Sequence, residues 1–261
     1  MRGVTLTFVT RPTDYFNRHS LPASNLAAVE KQSANLVYMT DDFVLRLVRP
    51  ELAQYVDHER EAELGRKAFD LGLKTAKPVA WDKSYSIWER LPGQPLENPE
   101  TCPPKIWHDL LDTLKLLHQN PLEPRATPPD PWTGNTDFIE KTQKAADWTS
   151  AEKERLTTLL SEPHPVTSPC FVHGDAYADN ILVSEGNFVG LIDWGNAGWQ
   201  SLEAECASLD APALELALAR WDADLDAPLL WKMRLNLLLE VASYGRVSFS
   251  NVRAVLSRLL G

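Results

Sequence analysis

Residues 171–195 read FVHGDAYADNILVSEGNFVGLIDWG, in which short apolar runs are separated by polar turns. The runs ILV (181–183) and FVGLI (188–192) predict two strands, and the glycine-containing turn between them predicts a hairpin. Such a hairpin would bring Asp175, Asn180 and Asp193 to one edge. Any fold predicted for the rest of the chain must leave this polar edge accessible.

These three side chains have the chemistry of a phosphoryl-transfer centre. An aspartate within hydrogen-bond reach of a hydroxyl group can orient it and accept its proton. Asparagine and aspartate oxygens suit Mg²⁺, which proteins usually hold with one or two carboxylates plus substrate phosphates. Taken singly, each residue is better explained as a turn former or a strand end. The combined spacing H-G-D-x-x-x-x-N followed by I-D-W favours the catalytic interpretation.

The segment resembles the aminoglycoside phosphotransferase/choline kinase superfamily, relatives of the protein kinases, through H-G-D at 173–175, Asn180 and I-D-W at 192–194. The resemblance implies that Asp175 is the catalytic base, that Asn180 and Asp193 bind Mg²⁺, and that ATP is the phosphate donor. It also implies an α+β, bilobal, protein-kinase-like fold. The N-terminal lobe would be an antiparallel sheet with one helix, and the larger C-terminal lobe would be mostly helical.

The N-terminal third alternates in the way that this fold requires. Residues 36–40 and 43–48 predict one strand pair, and 78–82 and 84–89 predict a second. Between the pairs, 55–71 has the periodicity of a helix. The proline-rich stretch after residue 91 can continue neither element, so we expect a nucleotide-binding lobe over 1–91 and a catalytic and substrate-binding lobe over 92–261.

The C-terminal part is predicted to be helical over five segments, at 105–119, 137–160, 203–219, 228–244 and 249–260. After I-D-W, many relatives continue with a Gly-Asp pair and a later acidic residue. Here Gln200 and Ser201 replace the pair, and Glu203 or Glu205 is nearest the later acidic position. This departure leaves the three central polar residues intact.

The resemblance also implies a set of nucleotide contacts in the N-terminal lobe. Ser33 and Asn35 occupy the polar positions of the nucleotide loop, and Arg46 stands where many relatives have a phosphate-binding lysine. Arginine keeps the positive charge, although the two side chains are not interchangeable. The partner of Arg46 would be Glu59, by its local sequence, or Glu61, by its spacing to the next strand.

Two further contacts are implied at the link between the lobes. Glu89 and Leu91 would offer backbone groups to the adenine edge, just before the proline-rich stretch begins.

Composition excludes several classes of partner. The net charge is −10 at pH 7, whereas nucleic-acid binders usually carry a basic surface. Three cysteines without a CxxC spacing predict neither a disulfide framework nor a zinc site. No apolar run approaches the roughly 20 residues of a membrane span, and no secretory signal is recognisable. We expect a cytoplasmic monomer or homodimer without a nucleic-acid or membrane partner.

The phosphate acceptor is the open question. The C-terminal region combines aromatic residues with carboxylates, which could bind a cationic alcohol such as choline through cation–π contacts, but helix-core positions explain the aromatics more simply. The residues concerned are Trp194, Trp199, Trp221, Trp231, Tyr244, Glu203, Glu205, Asp210 and Glu240. Choline-like amino alcohols, aminoglycosides, vitamins and sugars all stay open, as do a protein kinase and a nucleotide-binding homologue with weak catalysis.

Overall fold

The computed structural model describes residues 10–29, 35–125, 148–161, 169–221, 225–243 and 249–260. The N-terminal part forms an antiparallel sheet with the strand order β1-β2-β3-β5-β4. Its strands are β1 (Ala27–Val29), β2 (Asn35–Met39), β3 (Phe43–Val48), β4 (Pro78–Asp82) and β5 (Tyr85–Glu89). Both predicted strand pairs are confirmed, and β1 is an additional strand that the sequence did not indicate.

Helices account for most of the C-terminal part. The structure contains α1 (Pro12–Arg18), α2 (His58–Asp70), α3 (Pro104–Gln119), α4 (Ser150–Ser161), α5 (Leu202–Ser208), α6 (Ala211–Arg220), α7 (Ala227–Ser243) and α8 (Phe249–Leu260). The helices predicted over 105–119, 228–244 and 249–260 are confirmed. The helix predicted from residue 55 begins later, at His58, after a 3₁₀ turn (Pro50–Tyr55).

Two of the predicted helices need correction or restriction. The prediction of one helix over 203–219 is wrong, because α5 ends at Ser208 and α6 starts at Ala211. Pro212, in the first turn of α6, has no N–H with which to continue a preceding helix. Of the helix predicted over 137–160, the part from residue 150 onward lies in α4, residues 148 and 149 precede that helix, and 137–147 lie outside the described residues. None of the helices in the described ranges is long and apolar enough to cross a membrane.

The two faces of the N-terminal sheet contact different helices. On β5, Tyr85 and Ile87 pack with Phe16 of α1, and the intervening residues face α2 because strand side chains alternate. A Cβ atom at Gly65 of α2 would overlap the indole ring of Trp88. The glycine therefore allows α2 to lie close against the sheet.

The predicted hairpin, which we call the candidate catalytic hairpin, is formed by β8 (Ile181–Ser184) paired with β9 (Asn187–Leu191), so the strand pairing is confirmed. The linker strand β6 (Gln94–Pro95) pairs with β8. A second small sheet joins β7 (Pro169–Val172) to β10 (Gly198–Ser201). The N–H of Leu191 donates to the carbonyl of Lys74 at 2.9 Å, which fixes the hairpin against the segment before β4. The polar edge of the hairpin therefore faces the N-terminal sheet.

Candidate active site

A cleft of about 600 Å³ lies between the N-terminal sheet and the candidate catalytic hairpin. Most of the side chains that the sequence marked for chemistry line it. Those that line it are Asn35, Arg46, Glu61, Glu89, Leu91, Asp175, Asn180 and Asp193. Ser33 falls outside the described residues, and Glu59 does not belong to the lining. Residues far apart in the chain thus converge on one cavity of the size of a small-molecule site.

Arg46 lies on β3 and contacts two carboxylates. Its guanidinium forms an ion pair with the buried Glu61 of α2, and its Nη2 lies 3.4 Å from Oδ2 of Asp193. Burial disfavours the charged form, but the two carboxylates raise the pKa of Arg46 above its usual range. Burial also raises the pKa of the Glu61 carboxyl, an effect that the Arg46 charge opposes. Arg46 therefore keeps a permanent positive charge beside Asp193.

The geometry of α2 decides between the two candidate partners of Arg46. Residues two apart on a helix point about 200° away from each other, so Glu59 and Glu61 cannot face the same strand. Glu61 is 3% exposed and contacts Arg46, whereas Glu59 is half-buried on another face of the helix. The local sequence pointed to Glu59, but a local pattern carries no information about how α2 is rotated against the sheet. The spacing to the next strand pointed to Glu61, which is the residue that contacts Arg46.

Asn180 closes the candidate catalytic loop, residues 173–180, by hydrogen bonds to Asp175. Its Nδ2 donates to the backbone carbonyl of Asp175 at 2.9 Å and to Oδ2 of the same residue at 3.0 Å. The carbonyl of Asn180 in turn accepts from the N–H of Ile192 at 3.0 Å. Hydrogen bonds therefore join Asn180 both to Asp175 and to the end of the strand that leads into Asp193. This agrees with the prediction that the hairpin brings the three residues to one edge.

Asp193 adopts a left-handed backbone conformation, with φ of 70°, at the start of a 3₁₀ turn (Trp194–Asn196). A non-glycine residue rarely adopts this conformation, and such strain is often found at functional sites. The turn is anchored by the buried Trp194, whose indole N–H donates to Oγ1 of Thr75 at 2.9 Å. The side chain of Asp193 stays 39% exposed and is thus available to a ligand in the cleft.

The donor set at this edge fits Mg²⁺. The ion prefers oxygen ligands and commonly takes one or two from the protein, with phosphates and water completing the octahedron. Asp193 supplies a carboxylate, and Asn180 supplies an amide oxygen because its nitrogen already donates to Asp175. In the described ranges no group of three or more His, Cys, Asp or Glu residues gathers to hold a metal. Phosphate oxygens would have to complete this coordination shell.

Glu205 of α5 contacts the loop that contains Asp175, and the sequence did not reveal these contacts. It is fully buried, and its carboxylate accepts from the backbone N–H of His173 at 2.7 Å and of Gly174 at 3.2 Å. Nε2 of His118 at the end of α3 lies 3.2 Å from the same carboxylate. Burial opposes ionisation, but these hydrogen bonds and the nearby histidines lower the pKa of Glu205. An ionised carboxylate in the core thus fixes the start of the candidate catalytic loop.

Two more side chains from the same region hold the rest of the loop. Oγ of Ser208 accepts from the N–H of Ala176 at 3.1 Å, and Oδ2 of Asp210 accepts from the N–H of Ala178 at 2.7 Å. We call Glu205, Ser208 and Asp210 the loop cradle. These three side chains accept hydrogen bonds from backbone N–H groups of the loop. Because the loop is not paired in a sheet, the side chains take the place of a neighbouring strand as acceptors. The only signal in the sequence was the pair of acidic residues after Ser201.

The altered stretch at 200–205 has a structural explanation. Ser201 is the N-cap of α5, and its Oγ accepts from the N–H of Ala204 at 3.3 Å. Glu203 accepts from the N–H of Asp226 at 2.8 Å and so joins α5 to the start of α7. The replacement of the usual Gly-Asp pair therefore leaves a well-capped helix and an intact loop cradle.

Of the aromatic residues considered in the C-terminal region, Trp194 lines the cleft, whereas Trp199, Trp221 and Trp231 do not. Trp194 is 1% exposed and belongs to the core between α2 and β5, while Trp221 and Trp231 pack against the core of the helical part. The indole of Trp199 donates to the carbonyl of Pro124 at 2.8 Å. Tyr244 lies outside the described residues. The described tryptophans are thus mainly packing residues, the simpler of the two interpretations.

Comparison with protein families gives one match over most of the chain. A model described as the phosphotransferase enzyme family matches residues 26–230. The matched range contains every sequence-predicted site residue. No curated protein matches the chain in sequence.

Solved structures share the fold at low sequence identity. Macrolide 2′-phosphotransferase MphH from Brachybacterium faecium is 18% identical, with a TM-score of 0.59 over 94% of this chain and 96% of that one. A choline/ethanolamine kinase family protein from Mesorhizobium loti is 17% identical, with a TM-score of 0.59 over 90% and 85%. The streptomycin–ATP complex of APH(2″)-IIa is 16% identical, with a TM-score of 0.60 over 100% and 97%. The predicted α+β, protein-kinase-like fold is confirmed.

Proposed function

Since the chain belongs to the phosphotransferase enzyme family and is a small-molecule phosphotransferase, we propose that it moves the γ-phosphoryl group of ATP, with Mg²⁺, to a hydroxyl group of a small molecule. One observation carries this proposal. Arg46 contacts Glu61 and Asp193 in the same cleft that Asp175 and Asn180 line. A fixed cation, two metal-binding oxygens and a candidate base together form the set that phosphoryl transfer requires.

Each of these residues has a separate part in the reaction. Arg46 binds phosphate oxygens of the nucleotide, and Glu61 holds the guanidinium in place. Asn180 and Asp193 would hold Mg²⁺, which supplies charge neutralisation and orientation for the phosphates. Asp175 accepts a hydrogen bond from the acceptor hydroxyl, orients its oxygen towards the γ-phosphorus and takes its proton. The new O–P bond forms as the bond between the γ-phosphorus and the bridging oxygen breaks, and ADP leaves with that oxygen.

The base of the nucleotide has a suitable place at the other end of the cleft. Glu89 and Leu91 line the cleft, together with apolar side chains of the N-terminal sheet, with Leu182 of β8 and with Ile192, which follows β9. We propose that their backbone groups bind the adenine edge. On this basis residues 1–91 form the nucleotide-binding lobe and 92–261 the catalytic and substrate-binding lobe.

The acceptor class follows from chemistry that the cleft and the relatives share. The structurally similar proteins are named for macrolides, aminoglycosides and choline or ethanolamine, all of which carry hydroxyl groups. The side chains that line the cleft include six carboxylates and three arginines, so its balance is acidic, which favours an acceptor with a positive charge; they are Asp57, Glu61, Glu89, Asp175, Asp179 and Asp193, with Arg46, Arg60 and Arg90. We propose a cytoplasmic enzyme that acts on a choline-like amino alcohol, an aminoglycoside or a similar molecule.

Thermal unfolding with and without Mg·ATP tests nucleotide use directly. A ligand that binds only the folded state at 100 times its Kd adds about 2.7 kcal/mol of stability, so the midpoint should rise by several degrees. ATP with EDTA should give a smaller shift, because Asp193 and Asn180 would hold the metal only when Mg²⁺ accompanies the nucleotide. If neither mixture shifts the midpoint, the proposal is wrong. A screen of amino alcohols, aminoglycosides, vitamins and sugars for ADP release then identifies the acceptor.

A further inference from the structure

Arg60 precedes Glu61 on α2 and binds the C-terminal part of the chain. Its Nη2 donates to the carbonyl oxygen of Ala197 at 2.7 Å and to Oε2 of Glu123 at 3.2 Å. Consecutive helix residues point about 100° apart. A single turn of α2 therefore reaches the N-terminal sheet through Glu61 and the C-terminal part through Arg60.

Ala197 belongs to the turn that starts at Asp193. Asp193 is the first residue of this turn, and the N–H of Ala197 closes it by donating to the carbonyl of Trp194 at 3.2 Å. Arg60 thus holds the far end of the turn that positions the metal-binding carboxylate.

The contacts form a closed ring. Asp193 contacts Arg46, Arg46 pairs with Glu61, Glu61 adjoins Arg60 on α2, and Arg60 binds Ala197, which returns to Asp193 along the chain. In a ring of this kind a shift of α2 changes both the ion pair and the metal-binding turn. The ring therefore couples the position of one helix to the two charges that would face the nucleotide phosphates.

We propose that Arg60 is a positioning residue, which fixes α2 against the turn after Asp193 and so holds Arg46 and Asp193 in the arrangement that binds Mg·ATP. The inference rests on the proposed function, since it concerns the same cleft. It goes beyond that function by assigning to Arg60, which precedes the ion-pair glutamate, a role that the pair alone does not supply.

The two partners of Arg60 can be separated by substitution. The ion pair with Glu123 is partly exposed, with side chains 38% and 30% accessible, and such pairs contribute little. Glu123→Gln should therefore change the Kd for Mg·ATP less than about twofold. Arg60→Ala removes the bond to Ala197 as well and should raise that Kd about tenfold, the loss expected for a hydrogen bond from a charged group. Arg60→Lys, which keeps a charged donor, should recover part of the affinity.

Arg66 provides a matched control on the same helix. It donates from Nη2 to the backbone carbonyl of Pro78 at 2.8 Å, so it also anchors α2 to a carbonyl, but on the sheet and away from Asp193. Arg66→Ala should lower the thermal midpoint about as much as Arg60→Ala does. It should nevertheless leave the Kd for Mg·ATP within about twofold of the wild type.

Isothermal titration with Mg·ATP on the full chain, with thermal midpoints measured in parallel, gives the decision. If Arg60→Ala and Arg66→Ala weaken binding equally, Arg60 stabilises only the fold and the inference is overturned. If the double substitution Arg60→Ala with Glu61→Gln multiplies the two single losses, the ring does not couple the sites, and the inference is again overturned. If the wild type binds no Mg·ATP, the proposed function itself fails, which is a separate outcome.

Discussion

Asp175 carries the proton-accepting step in the proposed reaction, and an asparagine at this position keeps its size without its charge. Asp175→Asn should lower kcat by about 10²–10⁴-fold, the usual contribution of a positioned general base. Kd for Mg·ATP should change less than about threefold, because Arg46 and Asp193 are untouched. ADP release with the acceptor found by screening measures the first, and calorimetry the second.

Asp179→Asn serves as the charge control for this variant. Asp179 lines the same cleft, and its substitution removes the same formal charge as Asp175→Asn. Because Asp179 is not the proposed base, kcat should stay within about tenfold of the wild type. A wild-type kcat in Asp175→Asn would show that another group accepts the proton.

Glu61 and Glu59 form a matched pair of substitutions on α2. Glu61→Gln breaks a buried ion pair and should lower kcat/KM for Mg·ATP at least tenfold, since the Arg46 charge loses its buried partner and keeps only the partly exposed Asp193. Glu59→Gln changes a residue outside the cleft and should stay within about twofold. Equal losses in the two variants, measured by steady-state kinetics, would contradict the placement of α2.

The choice between Glu59 and Glu61 also shows which site residues could be predicted from the sequence and which could not. Asp175, Asn180 and Asp193 were predictable because loop spacing and strand ends are local features that the chain itself displays. Arg46 was predictable through the family resemblance, and it does line the cleft. The choice of Glu61 was not, because it depends on how one helix is rotated against a sheet, which is a tertiary property.

Through Glu205 and Ser208 of the loop cradle, α5 contributes to the site chiefly by holding the loop at 173–180 in place. Glu205 accepts two backbone hydrogen bonds from the loop and one from His118. In Glu205→Gln one oxygen is replaced by an NH₂ donor, which would face an N–H of the loop. We therefore expect kcat to fall about tenfold or more, together with a loss of about 1–3 kcal/mol in the free energy of unfolding.

Glu203→Gln is the control on the same helix. Glu203 is also buried, but it accepts from the N–H of Asp226 and not from the loop. The amide oxygen of glutamine can replace that single acceptor, so kcat should be retained. Urea denaturation and initial rates on both variants test this. A fall in kcat in Glu203→Gln as large as in Glu205→Gln would mean that α5 acts through general stability.

Regular helices and paired strands were predicted well because hydrophobic periodicity reports directly on which face is buried. The missed or misjudged elements are short. β1, β6 and α1 contain few residues, and packing against neighbours stabilises them more than their own pattern does. The break between α5 and α6 escaped the prediction because both sides share one apolar face. Pro212 indicated that a new helix begins there, but the prediction of one continuous helix relied on periodicity alone.

For the molecule as a whole, the cleft exists only because two separately built parts meet. The N-terminal sheet contributes Arg46, α2 contributes Glu61, and the hairpin contributes Asn180 and Asp193. The sequence could predict the parts and, through the family resemblance, the way they are arranged. It could not predict the contacts across the junction, such as Arg60 to Ala197, because neither residue belongs to a recognisable pattern.

A buried histidine at this junction links the stability of the whole chain to pH. His58 is fully buried at the start of α2, where its Nδ1 lies 3.0 Å from Oγ of Ser86 and Ser86 also accepts from the indole N–H of Trp88 at 2.9 Å. Burial, with the nearby Arg46 charge, lowers the pKa of His58 from 6.5 to about 4. The native protein therefore keeps this histidine neutral at pH values where the unfolded chain protonates it.

The sign of the effect follows from linkage. Between pH 6.5 and 4 the unfolded state binds a proton at His58 that the native state does not, so its contribution to stability is lost as the pH falls through this window. The loss approaches about 1.4 kcal/mol per pH unit and totals on the order of 3 kcal/mol. In His58→Asn, whose amide can still bond to Ser86, this dependence disappears. Urea denaturation should thus show the wild type losing its advantage over the variant from pH 6.5 downward, with parallel behaviour between pH 7 and 8. A difference that stays constant down to pH 4.5 would mean that His58 can be protonated within the fold.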